Sequence, residues 1–423
     1  MSSPVYLLKT RRFAPLFTAQ FLGAFNDNLF KNTLAVILTF QAAQWTSISS
    51  ALLAPLIGAV FILPFFLFSG LAGEVADSFD KARLARIVKV WELFLMVIAT
   101  VGFNLHSFGL LMAVIFGMGM HSTLFGPIKY SIIPQHMGEN ELVSANALVE
   151  SGTFAAILLG TIGGGLLAAH PNGGVIAGII GSAVAAIGYI ASRQIPTAPS
   201  LTPNRSLSFN LFAQTLNSVR LANGNRVVFL SILAISWFWL YGALLLSQFP
   251  SFVKTVLMGD EATVTILLSL FTVGIGAGSM VCERLSHHTI RPSLIVAGAI
   301  GMSIAGIDFA LNAQSFQAVS TLNSNPAFWR ILADLVLIGV FGGLYSVPLY
   351  AIMQNRSDAQ VRSRIIAANN ILNALFMVGG AVATMMLLEN GWSIPSIFLM
   401  IAIGTALVAG IIAWKIKQIG ERE

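Results

Sequence analysis

"RQIPTAPSLTPNRSLSFNLFAQTLNSVRLANGNR", residues 193–226, is the longest connection in a chain of 423 residues that is 56% hydrophobic and only 9% charged. An ordinary soluble domain carries roughly 25% charged residues. On either side of this segment lie apolar runs long enough to cross a ~30 Å hydrocarbon layer, which takes about 20 helical residues. Six precede it, near 13–40, 49–76, 84–103, 108–128, 142–168 and 173–192. Six follow, near 227–252, 262–282, 292–312, 327–352, 364–388 and 394–415. A membrane barrel would instead show short alternating segments. The expectation is an all-α membrane protein of twelve transmembrane helices in two six-helix bundles. The N-terminal bundle covers 1–192, the linker 193–226 and the C-terminal bundle 227–423.

Within the linker, Pro196, Pro199 and Pro203 occupy the first part. The second part sets Phe209, Phe212, Leu216 and Val219 on one helical face. Two readings stand: a helix lying in the membrane interface, or a helix packed on the ends of the bundles.

Basic residues fix the orientation, because Lys and Arg beside helix ends stay on the cytoplasmic side. Lys9, Arg11 and Arg12 precede the first span, and Lys81, Arg83, Arg86 and Lys89 follow the second. Lys129 ends the fourth, and Arg193, Arg205, Arg220 and Arg226 lie in the linker. Arg284 and Arg291 follow the eighth span, Arg356, Arg362 and Arg364 the tenth, and Lys415, Lys417 and Arg422 the last. That is 20 of the 23 Lys and Arg on one side. Lys254 and Arg330 fall on the other side and Lys31 within a span. Both termini are therefore expected in the cytoplasm. The pI of about 9.6 follows from this asymmetry and not from nucleic-acid binding. The first span is longer than the apolar core of a signal peptide and lacks a small-residue cleavage site, so no cleavable signal is expected. The single Cys282 excludes an internal disulfide and reads as a small apolar residue.

Two stretches echo each other across the linker. "GPIKYSIIPQ" followed by "SANAL", with Pro127 and Asn146, corresponds to "VPLYAIMQ" followed by "AANNIL", with Pro348 and Asn369. The echo implies two halves repeated in the same orientation. After the second span, "GEVADSFDK" places Gly73, Asp77 and Lys81 at intervals of four. A small residue lets two helix ends approach, and Asp77 can pair with a basic residue or cap a neighbouring helix N-terminus, so these three are gate candidates.

"FLGAFNDNLFKNT", residues 21–33, carries Asp27 and Lys31 inside a span. Asp27 lies 14 residues beyond Phe13, about 21 Å along a helix at 1.5 Å per residue, hence near mid-membrane. Gln20, Asp27, Asn28, Lys31 and Asn32 share one sector, and it must avoid lipid. Either it lines a hydrated cavity and binds substrate, or Asp27 and Lys31 neutralise each other at i,i+4 and pack the bundle. Glu150 lies at a depth close to that of Lys129, and the two either pair or line the inward opening. Arg330 and Asp334, with Asp308, read as a structural group towards the outer side. Asn369, Asn370 and Asn373 offer hydrogen bonds to a ligand or between helices. Aligning Arg12 with Arg226 sets Asp27 opposite Tyr241 and Gly23 opposite Trp237 in "SWFWLYG". One polar and one aromatic wall would suit an amphiphile. Trp239 reads as core packing.

"QFLGAFNDNLFKNTLAV", "GEVADSFDK" and "LFGPIKYSIIPQ" together resemble the bacterial lysophospholipid transporter family of the major facilitator superfamily. In the loop signature Gly73, Asp77 and Lys81 match, while Ser78 and Asp80 replace a basic residue and a glycine. The resemblance implies a secondary transporter with a site between the halves near the midplane. It would move lysophospholipids, lysophosphatidylethanolamine above all, across the bacterial inner membrane towards the cytoplasmic leaflet, where an acyltransferase would reacylate them. No cofactor is implied. A proton-coupled exporter of amphipathic drugs is the alternative, with Asp27 titrating. A membrane lipid enzyme would need a His and an acid at fixed short spacing or a metal cluster. His106, His121, His136, His170, His287 and His288 read as scattered at loops and helix ends, so no enzyme is expected.

Overall fold

In a computed structural model of the chain, residues 4–41, 44–48, 50–202, 207–287, 289–317 and 324–420 are described. Pro203, Arg205, His288, Arg422 and the side chains of Lys415 and Lys417 lie outside this set. Thirteen α-helices and no strands occur among the described residues. The first bundle comprises α1 (Ala14–Gln41), α2 (Ser50–Ser78), α3 (Lys81–Asn104), α4 (Phe108–His136), α5 (Leu142–Ala168) and α6 (Gly173–Ser192). The linker helix is α7 (Leu211–Asn223). The second bundle comprises α8 (Arg226–Phe252), α9 (Glu261–Ser286), α10 (Pro292–Gln314), α11 (Pro326–Arg356), α12 (Arg362–Glu389) and α13 (Ile394–Gly420). Ten segments among the described residues are long and apolar enough to span a membrane. The two long helices that fall short are α1 and α3, which carry Asp27, Lys31, Lys89 and Glu92.

Apart from the linker between α6 and α8, short connections make successive long helices run in opposite directions, so the start of α1 and the end of α13 lie at the same face, called the basic face below. In the first bundle α1 packs on α5 and α6, α3 on α6 and α4, and α2 on α4. In the second, α11 packs on α9, α10 and α8, and α13 on α10. Small residues let backbones approach where apolar side chains gain nothing over lipid. A Cβ at Gly164 of α5 would lie 2.6 Å from the Leu29 carbonyl of α1, and one at Gly278 of α9 would lie 1.9 Å from the Val340 carbonyl of α11.

The α7 helix bridges α2 and α12. It turns Gln214, Ser218 and Ala222 inward, and Gly70 permits the approach, since a Cβ there would meet the Gln214 backbone at 2.5 Å. Phe209 and Phe212 are 76% and 80% exposed, on the side away from the bundles, whereas Val219 packs against the core.

Two basic residues assigned from sequence to the face sit inside. Lys89 is completely buried in the first bundle. Lys129 is half-buried and about two turns short of the end of α4, because that helix continues through Pro127 and Pro134 to His136. At the opposite face Arg330 pairs with Asp308 on α10 and not with Asp334 of its own helix.

Because Gly164 sits against a carbonyl, Gly164→Val is expected to destabilise the protein by ~1–3 kcal/mol through overpacking. Nothing lies within 4 Å of a Cβ at Gly379, so Gly379→Val should leave the thermal midpoint of the purified protein unchanged. Equal midpoints for the two variants would show that the α1–α5 seam is not tight.

Candidate functional site

Between the bundles lies a cavity of about 370 Å³. Its first wall is built by Gln20, Asp27, Asn28 and Lys31 of α1, Phe61 of α2, His121, Ser122, Lys129 and Tyr130 of α4, and Thr153 of α5. Its second wall is Phe238, Trp239 and Leu246 of α8, Tyr350 of α11, and Asn370, Asn373 and Met377 of α12. All the ionisable groups of Asp, Lys and His type that line it belong to the first bundle. The second bundle supplies aromatic and apolar surface with two amides and a phenol.

On the charged wall, the Ser122 hydroxyl donates to Asp27 Oδ2, while Asp27 Oδ1 is buried and has no hydrogen-bond partner among the described residues. Asp27 and Lys31 do not pair. The Lys31 ammonium sits over the Phe61 ring, 4.6 Å from its centroid, and the Lys129 ammonium lies 4.6 Å from the Tyr130 centroid. Such cation–π contacts occupy one side of each ammonium without neutralising its charge, so an anion can still be held from the other side. Gln20 accepts from Thr153 Oγ1 at 3.1 Å, and Asn28 donates to its own helix at Ala24 O, 2.8 Å.

Behind this wall sits a group that the sequence reading did not assemble. Glu92 of α3 accepts from Lys89 Nζ at 2.6 Å and from Asn26 Nδ2 at 2.9 Å. His121 Nε2 lies 3.1 Å from the same carboxylate. His121 is in the middle of α4 with its ring on the cavity, not at a helix end as read from sequence. A signal was present: Lys89 and Glu92 stand at i,i+3 inside an apolar run. The group ties α1, α3 and α4 together and fixes the wall.

Four candidates fall off the cavity. Trp237 points to the other side of α8, where its Nε1 donates to Thr405 Oγ1 of α13 at 2.9 Å. Tyr241 is buried against α10 and α13, its hydroxyl 2.4 Å from a Cβ placed at Gly306. The aromatic wall is instead Phe238 and Trp239, with Trp239 Nε1 donating to Tyr350 Oη at 2.8 Å. Glu150 is buried behind Tyr130, whose hydroxyl donates to Oε1 at 3.0 Å; it does not pair with Lys129. Asn369 is buried beyond the lining, whereas Asn370 and Asn373 reach it, Asn373 accepting from Ser236 Oγ at 2.8 Å.

The cavity is shut towards the basic face. Tyr130 and Tyr350 stack at 4.8 Å. Beyond them Asn146 Nδ2 donates to Gln354 Oε1 at 2.7 Å and Gln354 Nε2 returns a bond of 3.1 Å to Asn146 Oδ1. The sequence echo thus marks the junction, since Tyr130, Asn146, Tyr350 and Gln354 all lie within it. Asp77 closes the outermost layer, accepting from the amides of Ser363 at 2.9 Å and Arg364 at 3.3 Å and from Arg364 Nε at 3.1 Å. It both caps the N-terminus of α12 from the other bundle and neutralises a buried guanidinium. Gly73 permits this, because a Cβ there would lie 2.8 Å from the Arg364 Cα. Lys81 is buried, its amide donating to the Ala198 carbonyl at 2.9 Å. Asp80, where the signature has a glycine, caps α3 through the Arg83 amide at 2.7 Å and holds the linker through the Ala198 amide at 2.9 Å.

The profile of the Major Facilitator Superfamily matches residues 16–377. The lysophospholipid transporter LplT of Cronobacter sakazakii is 30% identical over 98% of this chain and 99% of its own length. That of Enterobacter sp. strain 638 is 31% identical over 84% and 83%. Among solved structures, FucP in its outward conformation superposes with a TM-score of 0.71 at 14% identity, over 95% of this chain and 98% of that one. The human organic anion transporter MFSD10 gives 0.73 at 14% identity, over 94% and 99%. These two likenesses concern the fold.

Removing Asp77 leaves Arg364 buried without a counter-charge, a loss of about 2–3 kcal/mol for charge-assisted bonds. In a Cys282→Ala background, Ser131→Cys, which faces Ser363 across the junction, is expected to be labelled by maleimide from the basic face at least about tenfold faster when Asp77→Ala is added. An unchanged rate would show that Asp77 does not hold the face shut.

Proposed function

The chain belongs to the lysophospholipid transporter family of the major facilitator superfamily, and on that premise we propose that it moves lysophosphatidylethanolamine across the bacterial inner membrane by alternating access. The observation that supports this reading is the one-sidedness of the charge: Asp27, Lys31, His121 and Lys129 all stand on the first bundle, while rings line both walls and the second bundle adds only neutral groups. A single-chain zwitterionic lipid is one-sided in the same way. Its phosphate meets the ammonium of Lys31 or of Lys129, which stand on opposite sides of Asp27 in depth, its own ammonium meets Asp27, and its chain lies against Phe238, Trp239, Leu246 and Met377. Gln20, Asn28, Asn370 and Asn373 supply neutral hydrogen bonds at the boundary.

The basic face is read as cytoplasmic, from the Lys and Arg bias of the loops. The state with Asp77 engaged is then closed to the cytoplasm. Passage towards the cytoplasmic leaflet requires the Asp77–Arg364 and Asn146–Gln354 contacts to part while the outer ends of the bundles close. Residues 1–192 and 227–423 would move as the two bodies, with 193–226 as their tether. Once delivered, a lysophospholipid is a substrate for reacylation, which makes an acyltransferase the expected consumer of the product.

Uptake into spheroplasts, comparing lysophosphatidylethanolamine, an intact diacyl phospholipid and a cationic drug, tests the reading. Uptake of the lysolipid alone supports it; drug efflux with no lysolipid uptake would replace it with the proton-coupled exporter. Loss of one charge-assisted contact costs about 1.5–3 kcal/mol, so Asp27→Asn and Lys31→Ala should each lower lysolipid uptake by roughly tenfold or more while the protein remains in the membrane. Normal uptake by both single variants would remove Asp27 and Lys31 from the site.

Trp239→Ala is expected to shift the preferred acyl-chain length with little change in head-group choice, because most of the ~0.8 kcal/mol per buried CH₂ is already available to the chain in the bilayer. Measuring uptake across a series of chain lengths checks this, and an effect on head-group choice alone would displace the chain from the α8 wall.

A further inference from the structure

The second bundle encloses another cavity, of about 660 Å³, larger than the central one. It lies between α8, α10, α11, α12 and α13, and no residue lining it also lines the central cavity. Trp237 and Phe376 belong to its lining, and the residues at the basic face are Val227, Ile290, Pro292, Asn355 and Arg356. Val227 and Trp237 are ten residues apart on one helix, so the cavity runs about 15 Å in from the face. Apart from Ser231, Asn355, Arg356 and the indole nitrogen already given to Thr405, the lining is apolar.

Its mouth carries three arginines. Arg356 is part of the lining and exposed, and Arg226 and Arg291, both exposed, adjoin the lining residues Val227, Ile290 and Pro292. The helices α8 and α10 begin there with the positive ends of their dipoles, while α11 ends there at Arg356 with its negative end, so the positive character rests on the arginines. Asn225 caps α8 through the amides of Val227 and Val228, but no side chain caps α10, which starts from Arg291 and Pro292. The nearby Asp358 carboxylate is engaged by the Gln360 amide at 2.9 Å.

We infer that this cavity is a second lipid site, which holds one acyl chain of an anionic glycerophospholipid of the basic-face leaflet, with the phosphate between Arg226, Arg291 and Arg356. An apolar shaft of this volume falls in the range of small-molecule pockets, and three guanidiniums beside an uncapped helix start select an anion over a zwitterion. The occupant is a resident and not cargo, because the cavity is separated from the central site by α8 itself: Trp237 faces one and Trp239 the other. A lipid seated here would bear on α8 and α12, the two helices of this bundle that also carry most of the central aromatic and amide wall, and would so tune transport through the composition of the leaflet.

The test uses the purified full chain in detergent, titrated with phosphatidylglycerol or phosphatidylcholine brominated on one acyl chain, with tryptophan quenching as the readout. Saturable quenching is expected at about tenfold lower phosphatidylglycerol than phosphatidylcholine, and Trp237→Phe should remove the saturable part. The triple variant Arg226→Gln, Arg291→Gln, Arg356→Gln should raise half-saturation by phosphatidylglycerol about tenfold and leave phosphatidylcholine unaffected. If that variant is unstable, Ser231→Phe, which fills the shaft without touching the arginines, should abolish saturation. Equal titrations for the two head groups, a saturable signal that survives Trp237→Phe, or competition by millimolar inorganic phosphate as effective as by lipid would each overturn the site. None of these outcomes bears on lysolipid uptake through the central cavity, so the two readings fail separately.

Discussion

An ionised side chain at the bilayer centre costs at least about 2.5–3.5 kcal/mol, and that cost decides where the polar residues of α1, α3 and α4 go. Asp27, Lys31, Lys89, Glu92, His121 and Lys129 all turn inward within one bundle. Glu92 satisfies those deepest in the helix packing by accepting from Lys89 and Asn26. The groups nearer the cavity are left incompletely satisfied, with one oxygen of Asp27 lacking a hydrogen-bond partner among the described residues and two ammonium groups resting on rings. A buried polar network is stable only when its members are satisfied. The contacts to Glu92 therefore act as a foundation, and the groups that border the cavity are where a ligand has something to gain.

The same constraint explains why the second bundle is built from surface of another kind. Its contribution to the central cavity is aromatic and amide, held in place by hydrogen bonds that stay within that bundle, Trp239 to Tyr350 and Ser236 to Asn373. Each wall is thus rigid on its own side. What crosses between them is Phe154 stacked on Trp239 at the cavity and, at the basic face, a stacked pair of tyrosines, a reciprocal amide pair, and a carboxylate that serves at once as helix cap and counter-ion.

The all-helical two-bundle fold was legible because the length of an apolar run is itself the physical requirement for crossing a bilayer. Ten of the expected runs meet it among the described residues, while the charges of α1 and α3 keep those two short of it. The polar sector of α1 was legible too, since Gln20, Asp27, Asn28 and Lys31 share a face by helical geometry alone and do line the cavity. The aromatic wall was not. Matching Arg12 to Arg226 transfers depth between the halves but not rotation, and a slip of two residues on an α-helix turns a side chain by about 200°. Trp237 and Trp239 consequently exchanged places between expectation and structure. Asn369 differs from Asn370 in the same way, by one step of the helix. The Lys89, Glu92 and His121 group was hidden for another reason: its members lie on two helices, and only packing reveals that they share one carboxylate.

The glycine seams have a mechanical consequence. Where Gly164 meets the Leu29 carbonyl, and Gly278 the Val340 carbonyl, main chain rests on main chain with no side chain between to act as a spring. Such joints have no slack, so helices cannot slide past one another inside a bundle without a collision. Between the bundles the joint of this kind described above is Gly73 against the Arg364 Cα, and the other contacts named there involve side chains, so compliance is concentrated at that seam. The molecule is left with one soft degree of freedom, and its stiffness is set by a few polar contacts near Asp77 and not by the greater part of its apolar core.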